Sequence, residues 1–302
     1  MKPLSERKRL DELESYLTTR IIGQKHVIPQ VANEIRNGEL SMHRESEPRG
    51  RLFFCGPTGV GKTQMAESIT EFIFGSAEYL HKFDMSEFKG LNGLEKFIGN
   101  ISGEVGRLGY VLEKHQKGTL LFDEFEKADA SVWELFLQIL DKARITVGRD
   151  KTIMLSEFYI VFTSNEGSEK IIDNKYTPFT RIEEYVRERV KLKFKPEMIQ
   201  RFKNLIVFNK LSIDEQTLIC RPMLEMEIDR LSKKFNIKID YEAEILNLLV
   251  SRGYDAKYGA RNMKNVIDDQ VRNALAKHLV AGDLASGKLI FNRSNHQLDF
   301  II

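Results

Sequence analysis

Glycines at positions 56, 59 and 61 lead directly into Lys62 and Thr63, within the run Gly56-Pro57-Thr58-Gly59-Val60-Gly61-Lys62-Thr63. This spacing is that of a nucleoside-triphosphate phosphate loop, G-x-x-x-x-G-K-[ST]. Glycines let the backbone wrap close to phosphate oxygens, and the amide groups and dipole of a following helix face the anion. In this pattern Lys62 reaches the β- and γ-phosphates of ATP, and the Thr63 hydroxyl holds Mg²⁺. A second group of candidates follows about sixty residues on. Thr119-Leu-Leu-Phe-Asp123-Glu124 is an apolar run ending in two acids. Asp123 is placed to bind Mg²⁺ and Glu124 to polarise an attacking water. A third candidate is Asn165, after Thr163 and Ser164, where an amide would contact the γ-phosphate or orient the water.

These residues need elements to hold them. Arg51–Cys55 reads as a short buried strand, and Met65, Ile69, Phe72 and Ile73 recur at helical spacing behind the loop. Further short apolar runs predict strands at 80–84, 119–122, 159–163 and 204–208. Continuous apolar runs of this kind fit strands buried on both faces of a parallel sheet. Helical patterns separate them, for example Val132, Leu135, Phe136, Ile139 and Leu140 on one face. The alternation predicts a doubly wound α/β domain of the P-loop NTPase type, whose strand ends line the ligand crevice. At the start, residues 4–18 read as a helix with Leu10, Leu13 and Leu17 on one face. Ile21–Gln24 reads as a turn, and a helix follows to about Asn37.

The pattern changes after Asn209. Ser212-Ile-Asp-Glu215 is a capping box opening a long helix, in which Pro222 predicts a kink or break. Asn236–Tyr241 alternates like a strand. Helices are expected around 242–252 and 260–281, and 288–293 and 297–302 pair as a closing hairpin. This divides the chain into a nucleotide-binding domain over 1–209 and a mostly helical small domain over 210–302.

The chain has 302 residues, 42% hydrophobic and 30% charged, with net charge +2. This is ordinary soluble composition, and it gives no strong electrostatic case for nucleic acid or membrane. No apolar run approaches a membrane span, and no apolar signal core opens the sequence. Cys55 and Cys220 are the only cysteines, which fits a reducing compartment. The expected location is the cytoplasm, without membrane insertion.

Taken in order, these strings resemble the AAA+ ATPases, and among them the second ATPase module of the Clp-type unfoldases ClpA and ClpB, over almost the whole chain. The resemblance rests on Arg20-Ile-Ile-Gly-Gln24, the phosphate loop, Phe83-Asp-Met-Ser-Glu-Phe88, Phe122-Asp-Glu-Phe-Glu-Lys-Ala-Asp129 and Leu137-Gln-Ile-Leu-Asp141. It continues through Thr163-Ser-Asn-Glu-Gly167, Phe194-Lys-Pro-Glu-Met-Ile-Gln-Arg201 and Gly259-Ala-Arg-Asn262. It implies that Ile21 and Ile22 contact adenine and that Asn165 is the sensor-1 residue. It also implies that Arg201 is the arginine finger acting on the neighbouring subunit's ATP, and that Arg261 is the sensor-2 residue. Arg144 is similar to a second interface arginine. A trans-acting arginine ties hydrolysis to a head-to-tail ring, and the resemblance makes that ring a homohexamer.

The chain also departs from the family. The Clp pore loop carries Gly-Tyr-Val-Gly; here Ile98-Gly-Asn-Ile-Ser-Gly-Glu-Val-Gly106 places Glu104 where the tyrosine belongs. A carboxylate lacks the broad amphipathic surface of an aromatic ring. The segment Arg107–Lys117 is shorter than in the family, and Tyr110 substitutes only if the loop is rebuilt. No Ile-Gly-Phe/Leu tripeptide follows Asn165, so docking to a ClpP-like protease is not expected. The module is expected to stand alone, without a first ATPase module or a substrate-recruiting domain. Of the functions implied, an ATP-driven motor remodelling a dedicated protein partner suits Glu104 best. The alternatives are a general Clp-like unfoldase or disaggregase chaperone, and a nucleotide-switched or DNA-associated assembly factor. The last has no basic aromatic stripe to support it.

Overall fold

The computed structural model describes residues 9–90, 92–100, 102–147, 151–173, 177–255 and 259–302. It divides into two compact units, one of residues 1–56 and 61–209, the other of 57–60 and 210–302.

The first unit is built on β1 (Gly50–Cys55), β2 (Leu80–Asp84), β3 (Gly118–Asp123), β6 (Phe158–Ser164) and β7 (Leu205–Val207), in the order β2-β3-β6-β1-β7. All four pairings are parallel. Every residue of β1 and β6 is buried, which is why these strands read as unbroken apolar runs rather than as alternations. Register stacks the aromatic residues across the sheet: Phe53 lies opposite Phe162, and Phe122 opposite the same Phe162. Phe125, Phe136, Phe194 and Phe202 fill in around them, with the Phe53–Phe202 and Phe125–Phe162 centroids 4.3 Å and 4.5 Å apart. Tilted and edge-on rings at such distances add to the area term.

The helices of this unit are α1 (Leu13–Arg20), α2 (Ile28–Glu39), α3 (Lys62–Phe74), α4 (Gly93–Ile98), α5 (Arg107–Lys114), α6 (Ala130–Lys142), α7 (Ser168–Asp173), α8 (Phe179–Lys193) and α9 (Pro196–Arg201). The start of the expected helix at 4–18 lies outside the described residues, and its C-terminal end extends to Arg20. Helix α6 buries Val132, Phe136, Ile139 and Leu140 of the stripe read from spacing, while Leu135 is only half-buried. A pairing absent from the sequence reading is the antiparallel hairpin of β4 (Arg144–Val147) and β5 (Lys151–Met154). Arg144 is an exposed residue at its start.

The second unit packs α10 (Ile213–Phe235), α11 (Glu244–Gly253) and α12 (Met263–Ala281) against a sheet of β8 (Ile239–Tyr241), β9 (Gly287–Asn292) and β10 (Gln297–Ile301). Both bonds of the capping box form: Glu215 N donates to Ser212 Oγ at 3.3 Å, and Ser212 N to Glu215 Oε2 at 2.7 Å. Helix α10 runs without a break through Pro222, contrary to the alternative of an interruption there. The carbonyl that the proline leaves without a donor belongs to Leu218, an exposed residue, so water can satisfy it. The strand expected at 236–241 is shorter, because Asn236 closes α10 in the left-handed conformation (φ 53°). Leu224, Ile245, Leu249, Met263, Val271 and Leu289 form the apolar core.

Candidate nucleotide site

The candidate residues meet at the C-terminal ends of β1, β3 and β6. β1 leads into Gly56, whose φ of 145° keeps the chain turning, and a Cβ there would lie 2.7 Å from the Phe208 carbonyl oxygen. Gly61 sits at φ 105° immediately before α3, a conformation that L side chains rarely adopt. The loop between them includes Gly59 (φ 71°) and the buried Val60. Lys62 and Thr63 therefore fall on the first turn of a helix of three and a half turns, whose N-terminal amides and dipole favour an anion.

Lys62 folds inward. Its Nζ donates to the Gly56 carbonyl and to Asn165 Oδ1, the latter at 2.9 Å. Burial lowers its pKa to about 8, against the opposing pull of Asp123, Glu126 and Glu124. Asn165 is the hub of the site. Besides accepting from Lys62, its Nδ2 donates to Glu124 Oε1 at 3.2 Å, and its backbone N–H donates to Glu126 Oε1 at 3.1 Å. Thus the lysine, the second acid and the asparagine, read separately from the sequence, form one hydrogen-bonded chain from the start of α3 to the ends of β6 and β3.

Asp123 ends β3 with both oxygens engaged. Thr163 donates its hydroxyl to Oδ1, and the Lys82 ammonium, on the neighbouring strand β2, lies 3.0 Å from Oδ2. Burial would raise its pKa, but the Thr163 hydrogen bond and the Lys82 charge outweigh it and hold the carboxyl below the usual range. Glu124 follows in the left-handed region at φ 56°, its amide held by Thr163 Oγ1 at 3.0 Å. That turn lifts its carboxylate out of the strand line, where Lys127 pairs with it. Glu126 is a third carboxylate, pushed up by burial despite the Asn165 amide, and its Oε2 has no hydrogen-bond partner among the described residues.

A divalent cation fits this donor set. Thr63 and Asp123 present hard oxygen ligands, and Mg²⁺ selects few carboxylates together with phosphate oxygens. The glycine conformations and the buried ammonium of Lys62 suit the phosphates.

The Ile21–Gln24 turn ends α1. Ile21 is buried and Ile22 half-buried. Gln24 fixes the turn to the end of β7, donating to the Asn209 carbonyl at 2.8 Å and accepting from its amide at 3.0 Å. Arg201, at the end of α9, is not among the clustered residues. Its guanidinium makes a two-pronged pair with Asp141, at 2.7 Å and 2.6 Å, and a third bond of 2.6 Å to the Glu197 carbonyl. Arg261 lies in the second unit, exposed on the single 3-10 turn Ala260–Asn262.

Four residues of this arrangement were not read from the sequence as site residues: Lys82, Glu126, Lys127 and Thr163. Their signal is weak in one dimension. A lysine in an edge strand reads as protection against edge pairing, and the next residues after an acidic pair read as a polar turn.

The segment that resembles the Clp pore loop is bonded to itself at its described residues. Gly99 and Val105 bridge antiparallel, and the Asn100 carboxamide accepts from the amides of Ser102 (3.0 Å) and Glu104 (3.2 Å). Asn100 Nδ2 also donates to Glu104 Oε2 at 2.7 Å. Val105 and Tyr110 are exposed nearby, with Lys114 Nζ 3.9 Å from the Tyr110 ring centroid.

Comparison with known proteins extends the geometry. Residues 47–205 match the family profile described as the AAA domain (Cdc48 subfamily). Residues 211–291 match that of the C-terminal, D2-small domain of ClpB protein. The chain is 33% identical over 304 residues to the chaperone protein ClpB of Prochlorococcus marinus, covering 98% of this chain and 34% of that protein. It is 33% identical over 292 residues to the ClpB of Rickettsia bellii, covering 95% and 34%. It is 36% identical over 282 residues to the ClpB of Dichelobacter nodosus, covering 92% and 33%. The chain spans about one third of the length of these relatives.

Proposed function

The chain belongs to the AAA+ ATPases, with an AAA domain followed by a ClpB-type small domain, and from that premise we propose that it is a chaperone module that unfolds or disaggregates proteins by hydrolysing ATP. The observation that carries the ATPase half is the bonded chain Lys62–Asn165–Glu124 beside Asp123, at the ends of three parallel strands. The chaperone half rests on the likeness to ClpB over both units. That likeness favours a general unfoldase over the dedicated remodeller suggested by Glu104. The exposed Val105 and Tyr110 support the same choice, since they offer apolar surface beside the loop. A DNA-associated role has no comparable support, and no ClpP-like partner is proposed.

In this reading residues 1–209 bind the nucleotide and 210–302 form the small domain. The loop amides of Gly56–Gly61 and the Lys62 ammonium hold the phosphates, and Ile21 and Ile22 flank the adenine. Thr63 and Asp123 hold Mg²⁺, which supplies charge neutralisation at the phosphates. Glu124 accepts a proton from the attacking water, while Asn165 fixes that carboxylate and senses the γ-phosphate. Arg201 and Arg144 serve a neighbouring subunit in a head-to-tail hexamer, and Arg261 acts on the nucleotide from the small domain. Arg201 must then exchange Asp141 for phosphate or reach it with Asp141 still attached. Two buried thiols, Cys55 and Cys220, suit a reducing compartment, and we place the protein in the cytoplasm.

The test compares ATPase activity alone, with casein and with double-stranded DNA. Stimulation by casein and not by DNA is expected. Stimulation by DNA alone, or no ATPase activity in any assembled state, overturns the proposal.

A further inference from the structure

We propose that Lys82 is a swinging counter-ion that sets how much divalent cation the nucleotide site requires. This rests on the reading of Thr63 and Asp123 as the cation's protein donors.

The geometry comes from three elements. Lys82 lies on edge strand β2, and its Nζ is 3.0 Å from Asp123 Oδ2. The other carboxylate oxygen accepts the Thr163 hydroxyl. A cation drawing on Asp123 therefore meets the Lys82 ammonium at the same oxygen. On α3, Glu67 follows Thr63 by four residues, so the two share one helix face. Burial raises the Glu67 carboxyl, and the Lys82 charge is the leading influence that pulls it back. Lys82 is thus within electrostatic reach of Asp123 and of Glu67, a second carboxylate available when it leaves the first.

The exposures suit such a movement. The Lys82 side chain is 44% exposed and that of Asp123 15%. The carboxylate is fixed by its threonine, whereas the lysine is free to turn on its flexible stem. Two cations beside one carboxylate repel, and the repulsion grows as the environment becomes drier. Lys82 therefore opposes a divalent cation at Asp123 in proportion to how far it stays. It also neutralises Asp123 when the cation is scarce, and so spares the strand end a lone buried charge.

The experiment titrates Mg²⁺ against binding of a ribose-labelled fluorescent ATP, with an EDTA arm without free divalent cation and Mn²⁺ binding read by electron paramagnetic resonance. Lys82→Met is expected to lower the half-saturating Mg²⁺ about two- to five-fold, the range of a partly exposed charge pair. Affinity in EDTA should stay within about twofold of wild type. Lys82→Arg keeps the charge and should restore the wild-type Mg²⁺ requirement, and Lys82→Gln, which keeps a polar head, should behave as Lys82→Met. A Mg²⁺ requirement unchanged or raised in both neutral variants overturns the inference alone. Wild-type binding that does not respond to Mg²⁺ or Mn²⁺ overturns the cation-site reading, and this inference with it.

Discussion

The ends of β3 and β6 and the turn Gly99–Gly106 are both dense in hydrogen bonds, yet they are built in opposite ways. At the strand ends each side chain is held from far along the chain: Lys62 by Asn165, Asp123 by Thr163 and Lys82, Glu124 by Asn165. In the turn, Asn100 and Glu104 hold each other across four residues. Positions fixed by distant partners cannot change singly without loss, because the partner is left buried and unpaired. A turn closed on itself can change its chemistry while the fold around it stays. A change at the strand ends therefore leaves distant partners unpaired, whereas a change at Glu104 stays within its own turn.

The largest break in this comparison is expected from Arg201→Ala. Turnover should fall by on the order of 10³ or more, the scale of a lost arginine finger, while ATP binding persists. Mixing with Lys62→Ala, which should lose phosphate binding, ought to recover part of the activity wherever an intact arginine faces an intact pocket. No recovery on mixing would make the Arg201–Asp141 pair a purely structural one. Next is Glu124→Gln, for which a loss of about 10²–10⁴ in turnover is expected with ATP affinity retained. Near-normal turnover would remove Glu124 from the chemistry.

A smaller effect should follow Glu104→Tyr. An aromatic contact at the loop should raise casein-stimulated ATPase by about two- to tenfold and leave basal ATPase alone. A change in basal rate as well would mean that the turn is coupled to the strand ends after all.

The smallest expected effect lies on β2, beside the site. Burial and then the neighbouring His115 lower the His81 pKa to about 4, and the rings are 4.2 Å apart. Between the ordinary histidine pKa and about 4 the unfolded chain binds a proton that the folded chain does not. Stability should therefore fall as pH drops through that window and level off below it. His81→Leu should remove that loss. Urea unfolding at pH 7 and pH 5 should show wild type losing about 1 kcal/mol more than the variant, a figure discounted because the ring is only half buried. Equal losses would assign the acid sensitivity elsewhere.

The sequence revealed those features whose signal is local or periodic. Four strands, β1, β3, β6 and β7, appear as apolar runs because both faces of the sheet are covered there, whereas the edge strand β2 is only half-buried. The capping box at Ser212 is readable because its two partners are three residues apart. The β4–β5 hairpin was not readable. Four-residue strands in which Arg144, Thr146, Lys151 and Thr152 are all exposed look like a polar loop. At the site, the phosphate loop and acid pair follow from spacing. The roles of Lys82 and Thr163 do not, since they arise only from β2–β3 and β3–β6 register. Pro222 misleads in the other direction: a proline predicts damage to a helix unless the freed carbonyl lies where water can reach it, as at Leu218.

The order of strands has a consequence for how the chain is made. β1 sits between β6 and β7, so its first partner is not synthesised until Ser164 and its second not until Val207. At about 5–20 residues per second, the roughly 150 residues from Cys55 to Val207 take on the order of ten to thirty seconds to translate. Until Ser164 is made, Leu52, Phe53, Phe54 and Cys55, all fully interior in the finished sheet, have neither neighbour to pair with, and until Val207 they have only one. The strand that will carry the phosphate loop is thus the one exposed longest as a nascent apolar segment, and a protein read here as an unfolding chaperone is itself vulnerable on the ribosome to the aggregation that chaperones oppose.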